Sequence, residues 1–364
     1  MSLPKKFEFN WHIPCAGDGH WIIQRMPERA PHIAYLQQVA RAAEYVGFDR
    51  VLVPTAFSNG NYSLDAPYVD SWTLGTACIA ATQKMQILIA NRPGFINPGV
   101  FAQMCATADE MSGGRLALNI VTAGAPGDME QFGDVLDHDA RYRRAVEYVS
   151  ICKRLWTEPV VDFDGEFYQM HHASMAARPI QPGGPPFFLA GASEAAINMA
   201  AHQADVYMMS ASTVEDIARR VKDLQRRADQ LGRKLRFCVA GNLFAANTDD
   251  KARELAESFA NHADLQLVAD RIAAGRQTVS VEDVRARAGT NMHTWSGPHI
   301  WSGIAHLLYG SAWVGSYDSI ACLFEQYAEV GVSIFQIYGY PFLEKAYEVG
   351  EMLLPRAKER LGTS

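Results

Sequence analysis

The chain has 364 residues, 48% of them hydrophobic and 20% charged, with a net charge of −7 and a pI near 5.9. That size and balance fit one large globular α/β unit, and the acidic surplus disfavours a nucleic-acid or anionic-membrane partner. No apolar run reaches the ~20 residues of a spanning helix, and the start leads into Phe7-Glu8-Phe9-Asn10-Trp11 without a signal-peptide core, so a cytoplasmic protein is expected.

Strand-like and helix-like stretches then alternate. Phe7–Pro14 reads as a first strand and Ile33–Val46 as a first helix, stopped at Gly47. Arg50–Pro54, Met85–Ala90 and Leu116–Thr122 read as strands two to four, separated by helices Ser71–Thr82 and Val100–Met111. The Gly113-Gly114 pair ends the second of these helices, because glycine takes the left-handed conformation at little cost. A long helix is expected from Ala140 to Trp156. Strands five to seven are Phe187–Ala190, Val206–Met209 and Arg236–Ala240, with helices Glu194–Ala204 and Val214–Leu231 between them. Helix Ile320–Val330, strand Ser333–Ile337 and helix Leu343–Leu354 complete the series. Eight strands alternating with helices imply a parallel sheet closed into a (β/α)8 TIM barrel, with an open doubly wound sheet as the alternative. No Gly-x-Gly-x-x-Gly follows the first strand, and Gly17-Asp18-Gly19-His20 has too few glycines to replace it.

Two insertions interrupt the alternation. Residues 157–185 hold an Asp164-Gly165 hairpin signal, and 264–310 hold two charged helical patterns, too long for a simple connection and expected to serve as a lid. With no linker in sight, one domain spanning 1–364 is expected. Cys15, Cys78, Cys105, Cys152, Cys238 and Cys322 form no Cys-x-x-Cys pair and read as reduced, buried thiols.

Barrel enzymes work at the carboxyl ends of their strands. Those ends carry Cys15, Asp18 and His20; Thr55; Asn91 and Arg92; Asn119 and Thr122; Gly191 and Ser193; Ser210; Asn242; Tyr338 and Tyr340. Neutral hydrogen-bonding groups and aromatics of this kind suit a large planar ligand with polar edges. Asn119 is either a satisfied core amide or a ligand contact, since burying it unpaired costs about 1–3 kcal/mol. No metal site is expected: His171 and His172 are adjacent and point opposite ways in an extended chain, and no zinc spacing or His-Glu-x-x-His occurs. A Schiff-base lysine and a Gly-x-Ser-x-Gly elbow are also missing, which leaves chemistry carried by a bound organic cofactor.

Several stretches together resemble one family: Pro14 with Gly17-Asp18-Gly19-His20; Tyr35-Leu36-Gln37-Gln38-Val39-Ala40; Val51-Leu52-Val53-Pro54-Thr55; Ser112 through Thr122; and Gly339-Tyr340-Pro341-Phe342-Leu343-Glu344. From about residue 8 to 355 the chain resembles the bacterial luciferase-like flavin monooxygenases, most closely the alkanesulfonate monooxygenase branch. The resemblance implies a (β/α)8 barrel, reduced FMN delivered by a separate NAD(P)H-dependent flavin reductase, O2 as second substrate, and a homo-oligomer, dimer or tetramer. A deazaflavin-dependent oxidoreductase, or a flavin-binding protein without turnover, would share the same barrel.

Residue by residue, the resemblance implies flavin contacts at Thr55, Asn119 and Asp128, at the pair Arg141-Tyr142, and at Gly191 and Ser193 beside the phosphate. A helix amino terminus with free N–H groups attracts a phosphate, although Ser193 could equally be a plain N-cap. His20 and Tyr340 are the candidates for proton transfer, or else rings packed at the barrel mouth. Trp11, Arg92, Asn242 and Tyr309 are expected to face the substrate. Departures bear on that substrate: Ala240 and Asn242 stand where the sulfonate branch has Arg and His, the Cys after strand two is replaced near Asn59, and a Gly-rich Arg segment shrinks to Leu307–Ser311. Added aromatics at Trp11, Phe57, Tyr62, Tyr309 and Trp313 point to a larger or less charged substrate than a sulfonate, which wants Arg forks.

Overall fold

The computed structural model describes residues 6–18, 29–57, 67–122, 128–262, 294–306 and 310–363. Its strands in chain order are β1 (Glu8–His12), β2 (Arg50–Val53), β3 (Gln86–Asn91), β4 (Leu116–Ile120), β5 (Val161–Asp164), β6 (Gln169–Ala173), β7 (Phe187–Ala190), β8 (Val206–Ser210), β9 (Arg236–Ala246), β10 (Trp295–Gly297), β11 (Ile300–Trp301), β12 (Ala312–Ser316) and β13 (Val332–Tyr338). Eight of them, in the order β1-β2-β3-β4-β7-β8-β9-β13, pair in parallel, and β13 returns to β1 to close the barrel. The closed (β/α)8 barrel expected from the alternation is present, and the open-sheet alternative is excluded.

Local sequence explains most element ends. Asn97 caps helix Pro98–Ser112 by accepting the Gly99 N–H at 2.9 Å, with Pro98 in the first turn, so the helix starts two residues earlier than its apolar pattern. Gly113, at φ 67°, ends it. Asp137 likewise accepts the Ala140 N–H at 2.7 Å and starts helix His138–Thr157. The Asp164-Gly165 signal becomes the small antiparallel β5–β6 hairpin.

The largest departure lies after Ala240. Strand β9 runs on to Ala246, six residues beyond its expected end, and β12 pairs with that extension in parallel, followed outward by β11 and β10. Gly241 makes this possible, since a Cβ there would sit 2.8 Å from the Trp313 ring. Helix Asp249–Asn261 covers the extension, and Phe244, Ala252, Ala256, Trp301 and Val314 form a second apolar core outside the barrel. Of the 264–310 insertion, Trp295–Gly297 and Ile300–Trp301 therefore belong to a side sheet, and Gly303–His306 form a 3-10 turn after it; 263–293 and 307–309 lie outside the described residues. Among the described residues no helix is long and apolar enough to cross a membrane.

Candidate active site at the carboxyl end of the barrel

Strand parity sets what lines the lumen. Leu52, Leu88, Ala117, Phe188, Val206, Met208, Cys238 and Ile334 form a buried apolar plug across the middle of the barrel. Further along the strands, at positions of the same parity, stand Pro54, Ala90, Asn119, Ala190, Ser210 and Ala240, two residues past the plug, with Tyr338 four residues past Ile334 and His12 beside it at the end of β1. Ala190 and Ser210 are exposed while Phe188 and Met208 below them are buried, so the plug ends there and an open mouth begins. Four of the eight side chains around this mouth are Ala or Ser. They leave room for a flat group lying across the strand ends.

One arc of the mouth fits such a group. Asn119, 9% exposed, has a buried Oδ1 without a hydrogen-bond partner, so the satisfied-core alternative does not hold for that atom. Next to it in the barrel, Gly191 follows β7 with φ 146°, and a Cβ there would lie 2.6 Å from Ala196 Cβ and 3.0 Å from the Tyr142 hydroxyl. Only glycine leaves that niche open. Ser193 caps helix Glu194–Gln203 by accepting the Ala196 N–H at 3.2 Å, and Tyr207 donates to the Gly191 carbonyl. Tyr142 and Gly191, 49 positions apart in sequence, thus meet at one helix terminus. Arg141 is held at the edge, donating to the Asp134 carbonyl at 3.2 Å.

Above β2 and β3, two expected ligand contacts have found each other. Arg92, 5% exposed, donates to Asp128 Oδ2 at 2.5 Å and to the Thr55 carbonyl at 3.4 Å, and lies 4.5 Å from the Phe57 ring centroid. Its charge is compensated inside the protein. Thr55 itself is half-buried beside this pair.

The opposite arc, formed by β1, β13 and β9, is neutral. The Tyr340 hydroxyl donates to Asn242 Oδ1 at 2.9 Å, and the Asn242 amide donates to the Ser311 carbonyl at 3.3 Å, joining a proton-transfer candidate to a substrate candidate. His12 ends β1, and its ring stands 4.9 Å from that of Tyr338, edge to face. Its Nδ1 is buried and unpartnered, and burial pushes the imidazole down to about 3, so the ring is neutral. Burial also pushes the Tyr338 phenol up, and it stays protonated.

Trp11 requires correction. It has no exposed surface and faces away from the lumen, packing on Phe48 and Phe342 and donating its indole N–H to the Phe342 carbonyl at 3.2 Å. The reason is parity: Glu8, Asn10 and His12 take the lumen side of β1, which turns Phe9 and Trp11 to the helices. Trp313 is likewise core, edge-on to Phe324 at 4.9 Å. His20, Tyr62 and Tyr309 lie outside the described residues. His12 was missed, although the alternation Glu8, Asn10, His12 against Phe7, Phe9, Trp11 was there to be read.

Asp18, at a strand end, serves the scaffold. It is buried, accepts from the Tyr35 hydroxyl, and takes the Phe342 N–H at 3.2 Å, capping from a distance a helix whose own N-cap, Pro341, offers no side-chain acceptor. Arg29 bridges to it at 3.4 Å and to Glu344 at 2.9 Å. Three of the shared motif stretches are therefore one clasp joining the chain's beginning to its end. Among the described residues no group of three His, Cys, Asp or Glu side chains is placed to hold a metal.

A closed barrel with a small-residue mouth, one arc open for a planar group and the other lined by neutral hydrogen bonders, defines an enzyme whose protein part positions a bound organic reactant. The family model for luciferase-like monooxygenases matches residues 19–333, and the chain belongs to that family. The fold is similar to that of riboflavin lyase solved with modified FMN and riboflavin (TM-score 0.80, 18% identity, covering 99% of this chain and 93% of that one). It is also similar to a long-chain alkane monooxygenase (0.79, 22%, 99% and 93%) and to an F420-dependent secondary alcohol dehydrogenase with an F420–acetone adduct (0.68, 18%, 97% and 99%).

Proposed function

We propose that the chain is the oxygenase component of a two-component system, using reduced FMN from a separate flavin reductase, and O2, to oxygenate a small organic substrate. The unpartnered Asn119 Oδ1 beside the Gly191 niche is the observation that carries this reading. The isoalloxazine ring offers N–H donors to such an oxygen, and the helix terminus at Ser193 suits a single terminal phosphate. Similar folds hold a modified FMN in one case and an F420–acetone adduct in another. F420 is the rival cofactor here.

Reduced FMN, when bound, supplies the electrons that activate O2. This chain's residues do the rest. Asn119 would meet the ring edge, Gly191, Ser193 and Tyr142 would hold the phosphate end, and the small Ala90, Ala190 and Ala240 side chains would leave room for the ring. Tyr340, oriented by Asn242, presents a hydroxyl on the substrate arc. A simple alkanesulfonate is poorly served, because Ala240 and Asn242 offer no cation and Arg92 is already paired with Asp128. Two missing charge-assisted hydrogen bonds, each worth roughly 1.5–3 kcal/mol, weaken capture by about a hundredfold or more.

The test is oxygen incorporation from labelled O2 with a supplied flavin reductase, against alkanesulfonates, sulfones and N-heterocycles. Label in a sulfone or heterocycle product, with little sulfite released from alkanesulfonates, is the expected result. Product formation with reduced F420 and not with reduced FMN would replace the cofactor assignment.

A further inference from the structure

We propose that His12 is a specificity-determining residue of this site: a neutral hydrogen-bonding point that selects substrates whose polar group is uncharged, such as a sulfone, a carboxamide or an N-heterocycle, over the corresponding anions.

Four observations converge on it. In the barrel order β1-β2-β3-β4-β7-β8-β9-β13, β1 lies directly across from β7, whose end carries the Gly191 niche. His12 is thus on the far side of the mouth from the groups that fit the cofactor. Its Nδ1 is buried with no partner, and a ligand hydrogen bond would remove the cost of leaving it unmet. The charges within reach are spent: Arg92 is bound to Asp128, and Asp18 is held by Tyr35, Arg29 and the Phe342 N–H. Finally, His12 itself does not supply a charge. Burial keeps its imidazole neutral, and the Tyr338 and Phe342 rings, 4.9 and 5.4 Å away, wall it with apolar surface. An anion brought against these rings gains no charge from His12 and loses its hydration, which is costly. A neutral dipole loses far less and gains the bond.

This rests on the oxygenase reading only in placing the cofactor on the β4–β7 side. The experiment titrates the full-length protein, with and without FMN, with matched probes: methyl octyl sulfone against octanesulfonate, and octanamide against octanoate. Affinity is read together with the ring-nitrogen NMR signals of His12, assigned by their absence in His12→Gln. The neutral member of at least one pair is expected to bind about tenfold or more tightly than its anion and to move the His12 signals. His12→Phe should cut that preference to less than about threefold, and His12→Gln, which keeps hydrogen-bonding groups, should recover most of it. Melting curves on both variants exclude misfolding as the cause. The proposal is overturned if neither neutral probe binds, if one binds without moving His12, if the anions bind equally well, or if folded His12→Phe keeps the preference. FMN affinity measured on the same samples reports separately on the oxygenase reading.

Discussion

At the amino-terminal end of the barrel, Arg50 is enclosed and satisfied: it donates to Asn10 at 2.9 Å, to Glu8 at 3.1 Å and to Gln86 at 3.0 Å, while Arg236 reaches Glu8 at 3.0 Å. At the carboxyl end the lumen ring is small and neutral, and it leaves Asn119 Oδ1 and His12 Nδ1 without partners. Both rings come from the same strands, two turns of the pleat apart. Charge closes the end that only has to hold the barrel together. Buried atoms without partners occur at both ends, Asn10 Nδ2 and Arg236 Nη2 among them. Only at the carboxyl end do they stand in a mouth that also exposes Ala190 and Ser210, and that combination marks the end that has to receive something. The contrast places stability in one ring and binding in the other, and substitutions can separate them.

The largest effect is expected at the closed end. Arg50→Met removes the main partner of a buried carboxylate, and losing one member of such a pair costs about 3–5 kcal/mol. Urea unfolding should show this loss, and cofactor affinity in the folded fraction should stay as in the parent. Acid adds a second handle on the same ring. Burial alone would raise the Glu8 carboxyl, but the charges of Arg50, Arg236 and Lys6 outweigh it and hold the group at about 2, below its ordinary 4.5. A depressed carboxyl stabilises the fold above its unfolded value and loses that contribution as pH falls. Parental stability should therefore drop from about pH 4.5 toward 2. In Glu8→Gln that part of the drop should vanish.

Next comes the open end. Asn119→Leu should leave unfolding nearly unchanged and weaken reduced FMN by about 1–3 kcal/mol, read by anaerobic titration. A large loss of stability with intact affinity would move Asn119 to the structural ring. Ser193→Asp brings a like charge to the phosphate end and should weaken FMN while sparing the fold, since Asp also caps a helix. The smallest effect is expected for Tyr340→Phe. It removes one hydrogen bond to Asn242, worth about 1 kcal/mol, and should lower turnover more than cofactor affinity.

Much of this was legible in the chain. Each barrel strand is a short buried run set off by helix stops such as Gly47, Gly113 and Gly232, and all eight were found from those signals. The side sheet was not, because Gly241-Asn242 breaks the apolar run of β9, and β12 has meaning only once β9 continues. Trp11 was misplaced for a different reason. Barrel strands are buried on both faces, so a large aromatic reads the same whether it meets the lumen or a helix. The Arg92–Asp128 pair could not be read either: the residues are 36 positions apart, and only folding shows that each answers the other.

The most direct measurement is an anaerobic titration of the protein with reduced FMN, with reduced F420 and FAD as competitors. Saturable binding of reduced FMN, tighter than either competitor and weakened about tenfold or more in Asn119→Leu, is the expected result. Preference for F420, or FMN affinity indifferent to Asn119, would contradict the assignment of the open ring as a flavin site.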